Sequence, residues 1–149
     1  MDRPPSVGRF ERLWFASIGF WGLGTLLAWE RVQNSLLADP RTGAVAGWAQ
    51  PFWVGLMAAV SLLVWWLAAR RASVAGKWLA VGVAALSAMR ALLTLVSLVG
   101  GGRNLHILSQ AAGVIAALLA VLAAAALFRP DASAWFGEFE IDEDQEAQA

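Results

Sequence analysis

Four long apolar stretches, free or nearly free of charge, dominate the hydrophobic pattern of this chain, with short polar segments between them. Residues 13–29 supply 17 uncharged positions and residues 51–69 supply 19. Residues 78–99 supply 22, broken only by Arg90, and residues 105–128 supply 24. A bilayer core of about 30 Å takes roughly 20 helical residues at about 1.5 Å each. Helices apolar on every face over such lengths are rare in soluble domains. The pattern therefore predicts an all-α fold, an integral membrane antiparallel four-helix bundle spanning at about 13–29, 51–69, 78–99 and 105–128. Residues 1–12 precede the bundle and residues 130–149 form a tail.

The connections carry ordinary stop and turn signals. Pro51 suits the first turn of the second span, where its missing N–H is not needed. The longest connection, residues 30–50, is punctuated by Asn34, Asp39-Pro40, Gly43 and Gly47, and its Val32, Leu36 and Leu37 can extend the first helix or build a short interfacial one. Residues 70–77 read as a tight turn, and Gly100-Gly101-Gly102-Arg103-Asn104 as another that makes the last two helices antiparallel neighbours. Arg129-Pro130 ends the fourth span. Residues 131–136 are expected to form a helical turn on the membrane surface, with Trp135 and Phe136 dipping in.

Charge orients these spans. Seven basic residues (Arg3, Arg9, Arg12, Arg70, Arg71, Lys77 and Arg129) fall on the side that holds both termini, against three (Arg31, Arg41 and Arg103) on the other. The positive-inside rule then puts both termini in the cytoplasm. The tryptophans agree, with Trp14, Trp65, Trp66 and Trp78 at the inner interface and Trp29, Trp48 and Trp53 at or near the outer one. Arg3, Arg9 and Arg12 before an apolar run also resemble a signal peptide. But 17 residues is long for its apolar core and Leu26-Leu27-Ala28 is a poor cleavage site, so a retained signal anchor is the better reading.

Composition narrows the chemistry. The chain is 59% hydrophobic and 15% charged, with no cysteine and one histidine. The absence of cysteine removes disulfides, thiolate nucleophiles and cysteine metal sites, and a single His106 does not make a metal centre or an axial haem pair. Gly22-Leu23-Gly24 lies inside an apolar span and reads as a packing notch rather than a phosphate loop. No carboxylate lies within a span, which argues against both a proton-coupled multidrug exporter and an intramembrane hydrolase. No catalytic, cofactor or metal residues are assigned, and neither an enzyme nor a nucleic-acid partner is expected. The net charge of zero hides a split. Residues 1–137 hold all 11 bases and 5 acids, a balance of 11 − 5 = +6, whereas residues 138–149 hold 6 acids and no base. So dense a run of like charge is expected to be a solvated tail, with docking to a basic partner or a latch on Arg70, Arg71 and Lys77 as the functional alternatives.

One constellation stands out. Arg90 lies 13 residues past Lys77, roughly 19 Å along the helix and in the outer half of the bilayer. Burying an arginine there costs about 2.5–3.5 kcal/mol, and the ten Leu and Val residues of the span return about 3–6 kcal/mol in total. Ser87, Arg90, Thr94 and Ser97 share one helical face. His106, Gln110, Gly113, Ala117, Ala120 and Ala124 form a second stripe, polar at one end and small at the other. Docking the two faces puts Arg90 near Gln110, with Glu30 as the nearest carboxylate. The candidate polar cluster is thus Arg90, Thr94, Ser97, His106, Gln110 and Glu30.

Both ends carry recognisable wording. Pro4-Pro5-Ser6-Val7 followed by Arg9-Phe10-Glu11-Arg12-Leu13, and Phe128-Arg129-Pro130-Asp131-Ala132 followed by Trp135-Phe136, resemble a group of small bacterial four-helix membrane proteins of unknown function. The resemblance implies a bacterial inner-membrane location and no particular activity. The sequence favours a non-catalytic accessory protein whose partners are the lipid bilayer and other membrane proteins or a second copy of itself. The alternative is a small oligomeric transporter or channel in which Arg90 lines an anion or lipid path.

Overall fold

A computed structural model describes residues 4–99 and 107–137 of the chain. The glycine turn, His106 and the acidic tail from Glu138 lie outside the described residues. What is described is helical throughout, without a strand. Helix α1 (Pro5–Leu27) opens on Pro5, whose fixed φ suits a first helical position, and closes at Ala28, whose N–H returns to the Gly24 carbonyl. It thus begins well before the expected span, because the polar residues from Ser6 to Arg12 continue the same helix. The chain turns at Ala28 into α2 (Trp29–Ala38), a short helix with no buried residue. The long connection over residues 30–50 is therefore largely helical. An Asp39 turn, held by Arg41 N–H to Asp39 Oδ1 at 2.9 Å, leads through a 3-10 turn (Gly43–Val45) into α3 (Ala46–Trp65).

Pro51 is not in the first turn of α3 but inside the helix, since the turn at Gly43 starts it earlier than expected. The hydrogen bond that Pro51 forgoes would end on the carbonyl of Gly47, an exposed residue. At its far end α3 widens into a π-helical turn (Trp66–Arg70), and after Ala72, at φ 47°, the chain reverses into α4 (Val74–Val99). Helices α5 (Ile107–Ala126) and α6 (Pro130–Trp135) complete the fold.

Among the described residues, three helical stretches are long and apolar enough to cross a membrane: Gly43–Arg70, Val74–Leu98 and Ile107–Ala126. Helix α1 has the length, 23 residues, but Arg9, Glu11, Arg12 and a high share of glycine and tryptophan make it the least apolar of the four long helices.

The helices do not share their burial evenly. Helix α1 packs chiefly on α5, and α5 also packs on α4, both antiparallel, while α3 joins mainly through its π-helical end. The tightest unit is therefore three helices with α3 hinged to them, rather than four equal members of a bundle. Along α1 the buried positions Val7, Phe10, Trp14, Ser17 and Gly24 recur at spacings of three, four or seven, the seam of a left-handed helix pair. They meet a ladder of alanines on α5, including Ala112, Ala116 and Ala123. Small residues on both sides allow close approach, and a Cβ added at Gly24 would sit 3.0 Å from the Ser109 carbonyl oxygen. The other α5 alanines, Ala120 and Ala124, pack against Ala84 and Val81 of α4.

Candidate functional site

Both sequence-derived regions, the Arg90 cluster and the two terminal motifs, can be located on this frame, and they are built very differently. The terminal motifs meet at the end of the bundle that holds the start of α1, the end of α3, the start of α4 and the end of α5. We call this the clasped end. Asp131, in the first turn of α6, accepts the backbone N–H of Ser6 through Oδ2 at 3.0 Å. A carboxylate from one end of the chain thus caps the helix that starts at the other. Such caps work because the first N–H groups of a helix lack internal partners and carry the positive end of its dipole. Partial burial pushes the Asp131 carboxyl up. Hydrogen bonding from Ser6 and the nearby Arg129 more than offset this and hold it below the ordinary aspartate value of 3.8.

Around this clasp lies the main core, in which Val7, Phe10, Trp14, Val64, Ala68, Ala80, Ala123, Leu127, Ala132 and Phe136 are buried together. Two expectations change here. Trp14, read as an interface residue, is 1% exposed, stacks 5.4 Å from Phe10 and donates its indole N–H to the Ser61 carbonyl at 3.0 Å. Phe136, expected to dip into the membrane, is buried against the protein itself. The alternation of charge and apolar runs describes each helix in isolation. It could not reveal that other helices cover those side chains first.

The rim of the clasped end is cationic and aromatic. The Arg70 guanidinium lies 5.4 Å from the Trp65 ring centroid, and that of Arg71 lies 4.6 Å from Trp66. Trp65 also donates its indole N–H to Glu11 at 3.0 Å. Lys77 is 4% exposed, with its ammonium 4.4 Å from the Phe128 ring and 5.6 Å from Phe136. The turn that carries these cations is tight: a Cβ at Gly76 would fall 2.7 Å from the Ala68 nitrogen, so only glycine fits there.

The Arg90 cluster lies toward the other, open end. Arg90 is exposed on α4, among Leu86, Met89, Leu92, Leu93 and Val96, each more than half exposed. The hydroxyls beside it are committed to their own helix: Thr94 donates to the Arg90 carbonyl at 2.9 Å, Ser97 to Thr94 at 2.7 Å and Ser87 to Val83 at 2.8 Å. On α4, Val81 and Ala84, N-terminal to Ser87, pack against Ala120 and Ala124, so the small end of the α5 stripe meets residues other than the expected Ser87–Ser97 set. Gln110 is half-buried and its amide oxygen has no hydrogen-bond partner among the described residues. Glu30 is exposed and lines an open concavity formed by residues of α1 and α2, including Leu26, Arg31 and Asn34, with no residue of α4. His106 lies outside the described residues. The structure thus carries Ser87, Arg90, Thr94 and Ser97 on α4 and Glu30 on α2.

At the open end, two amide side chains tie helices together. Gln33 Nε2 donates to the Ala46 carbonyl at 3.1 Å and Gln50 Nε2 to the Trp29 carbonyl at 3.3 Å, joining α2 to α3. Among the described residues, no group of three or more histidine and acidic side chains can hold a metal. Compared with protein-family models, curated proteins and solved structures, the chain matches none of them.

Proposed function

We propose that this protein is a non-catalytic, four-span component of a bacterial inner membrane, with both termini cytoplasmic, that associates with another membrane protein through the outer half of α4. The observation that carries the reading is Arg90, exposed in the middle of an uncovered apolar helix face. An arginine facing lipid at that depth is expensive, whereas one paired across a helix interface is not. The neighbouring hydroxyls are occupied by their own backbone and offer it little. None of the four apolar stretches contains Asp or Glu, so a second copy would bring another arginine and no acid. The fitting partner is a different membrane helix with a carboxylate or several carbonyl acceptors at outer-leaflet depth. The cytoplasmic orientation rests on the seven-to-three distribution of basic residues. Tryptophans still exposed at both ends, Trp66 and Trp78 against Trp48 and Trp53, support the positions of the spans.

A photoreactive residue at Leu93, one turn from Arg90, tests this in native membranes. The expected product is a cross-link to a second, different protein that is lost in Arg90→Gln and retained in part in Arg90→Lys, at equal expression. Cross-links to lipid or to the same chain alone would overturn it. Anion flux in vesicles that disappears in Arg90→Gln would replace it with a transport role.

A further inference from the structure

We propose that the turn between α3 and α4 binds the phosphate of an anionic phospholipid, with Arg70 and Arg71 as its ligands. This goes beyond the α4 interface and uses the opposite end of the molecule. Both arginines are exposed, and their contacts among the described residues are with the Trp65 and Trp66 rings rather than with acceptors. Such ring contacts restrain a guanidinium yet leave its five N–H donors for an anion, and phosphate takes them in pairs.

The backbone that presents them is fixed. The Arg71 N–H bonds to the Trp66 carbonyl at 3.2 Å and the Ser73 N–H to the Leu67 carbonyl at 3.1 Å. Gly76 closes the turn with no room for a side chain. The two cations are adjacent in sequence on this turn, and each guanidinium is held over its own tryptophan ring, which lowers the cost of ordering it around an anion. Among the described residues, the charge around them has the right sign. Arg9, Arg12, Lys77 and Arg129 share this end of the molecule, against Glu11, which receives the Trp65 N–H, and Asp131, which caps α1.

A lipid rather than free phosphate follows from what lies beside the arginines. Leu56, Leu63 and Trp66 are exposed at helical spacing along α3, 40%, 51% and 40% respectively, and form an apolar strip leading away from the cations. Helix α3 buries only Ala46, Gln50 and Val64 within the protein, so this strip is open to an acyl chain. A phosphodiester headgroup on Arg70 and Arg71 with a chain along the strip satisfies both halves of the surface.

The test is native mass spectrometry of the full chain released from nanodiscs containing equal phosphatidylglycerol and phosphatidylcholine. Wild type should retain phosphatidylglycerol preferentially, by roughly ten- to thirty-fold for two arginines near the surface. The Arg70→Gln/Arg71→Gln variant should lose that preference, while Arg31→Gln/Arg41→Gln at the other end should keep it. Unchanged helicity by circular dichroism establishes that the variants are folded. The Arg70→Lys/Arg71→Lys variant, which preserves charge, should show an intermediate preference if paired N–H donors matter. Equal retention of both lipids by wild type, or the same preference in the Arg70/Arg71→Gln variant, would overturn the assignment. Displacement of the lipid by millimolar inorganic phosphate would overturn the lipid in favour of a soluble anion.

Discussion

The clasped and open ends of this molecule are made from the same four helices, yet only one is closed by its own side chains. At the clasped end, large residues interlock: Phe10, Trp14, Leu127 and Phe136 fill the space between helices, and an indole N–H and a carboxylate complete the neighbours' backbone bonding. At the open end α1 and α5 still touch through Gly24, Ala112 and Gly113, but α4 and α3 leave leucines, tryptophans and Arg90 uncovered. The difference is instructive because in a bilayer apolar exposure alone costs nothing. Lipid covers leucine as well as protein does, so packing, hydrogen bonds and small-residue contacts decide where helices adhere. The clasped end has all three. The open end has one close helix pair and a charge that lipid serves badly.

Three substitutions can break or sharpen this contrast. The largest effect is expected from Trp14→Ala, which empties the centre of the clasped core and removes the bond to Ser61. A loss of about 3–5 kcal/mol is expected, read as a lower midpoint of unfolding in mixed micelles. A loss no greater than that of an exposed residue would mean that the two ends do not differ. Asp131→Asn comes next. It keeps the shape but weakens the cap on α1, so the start of α1 and α6 should exchange amide hydrogen faster while α4 is unaffected. The same clasp should respond to acid. The folded carboxyl titrates below its ordinary value, so its stabilisation is complete above the unfolded pKa of about 3.9 and is lost as pH falls through the lower, folded one. In Asp131→Asn this part of the acid response should vanish. The smallest effect is expected from Leu92→Ala, at 62% exposure on the open face, within about 0.5 kcal/mol for the isolated chain. If the photo-cross-linked partner exists, the same substitution should weaken capture of that partner without touching stability.

Much of the helical layout was legible in the sequence. Runs of apolar residues marked α3, α4 and α5, and Val32, Leu36 and Leu37 signalled the short helix α2. Pro130 placed the start of α6 within a residue. The missed features share a cause. Trp14 and Phe136 look like interface aromatics because hydropathy and position describe one helix at a time. Their burial comes from residues 47 to about 130 positions away in the chain, such as Ser61 for Trp14 and Val7 for Phe136. The partnership of Ser6 with Asp131, 125 residues apart, has no local signature. Its trace was the pair of terminal motifs, and only folding shows that they are two halves of one junction.

The sequence by itself determined that the chain is helical and membrane-suited, because length, hydropathy and charge at helix ends are local properties, and it determined the side on which cations gather. Tertiary structure alone decided which faces meet. Helix α5 offers small residues on two sides, and the sequence pairs it with α4 alone, whereas in the structure it packs chiefly on α1. Gly24 and Ala112 let α1 approach α5 closely at the open end, while the Asp131 clasp and the core around Trp14 shut the other end. What remains unpaired is the face around Arg90, a consequence of geometry that no hydropathy pattern records.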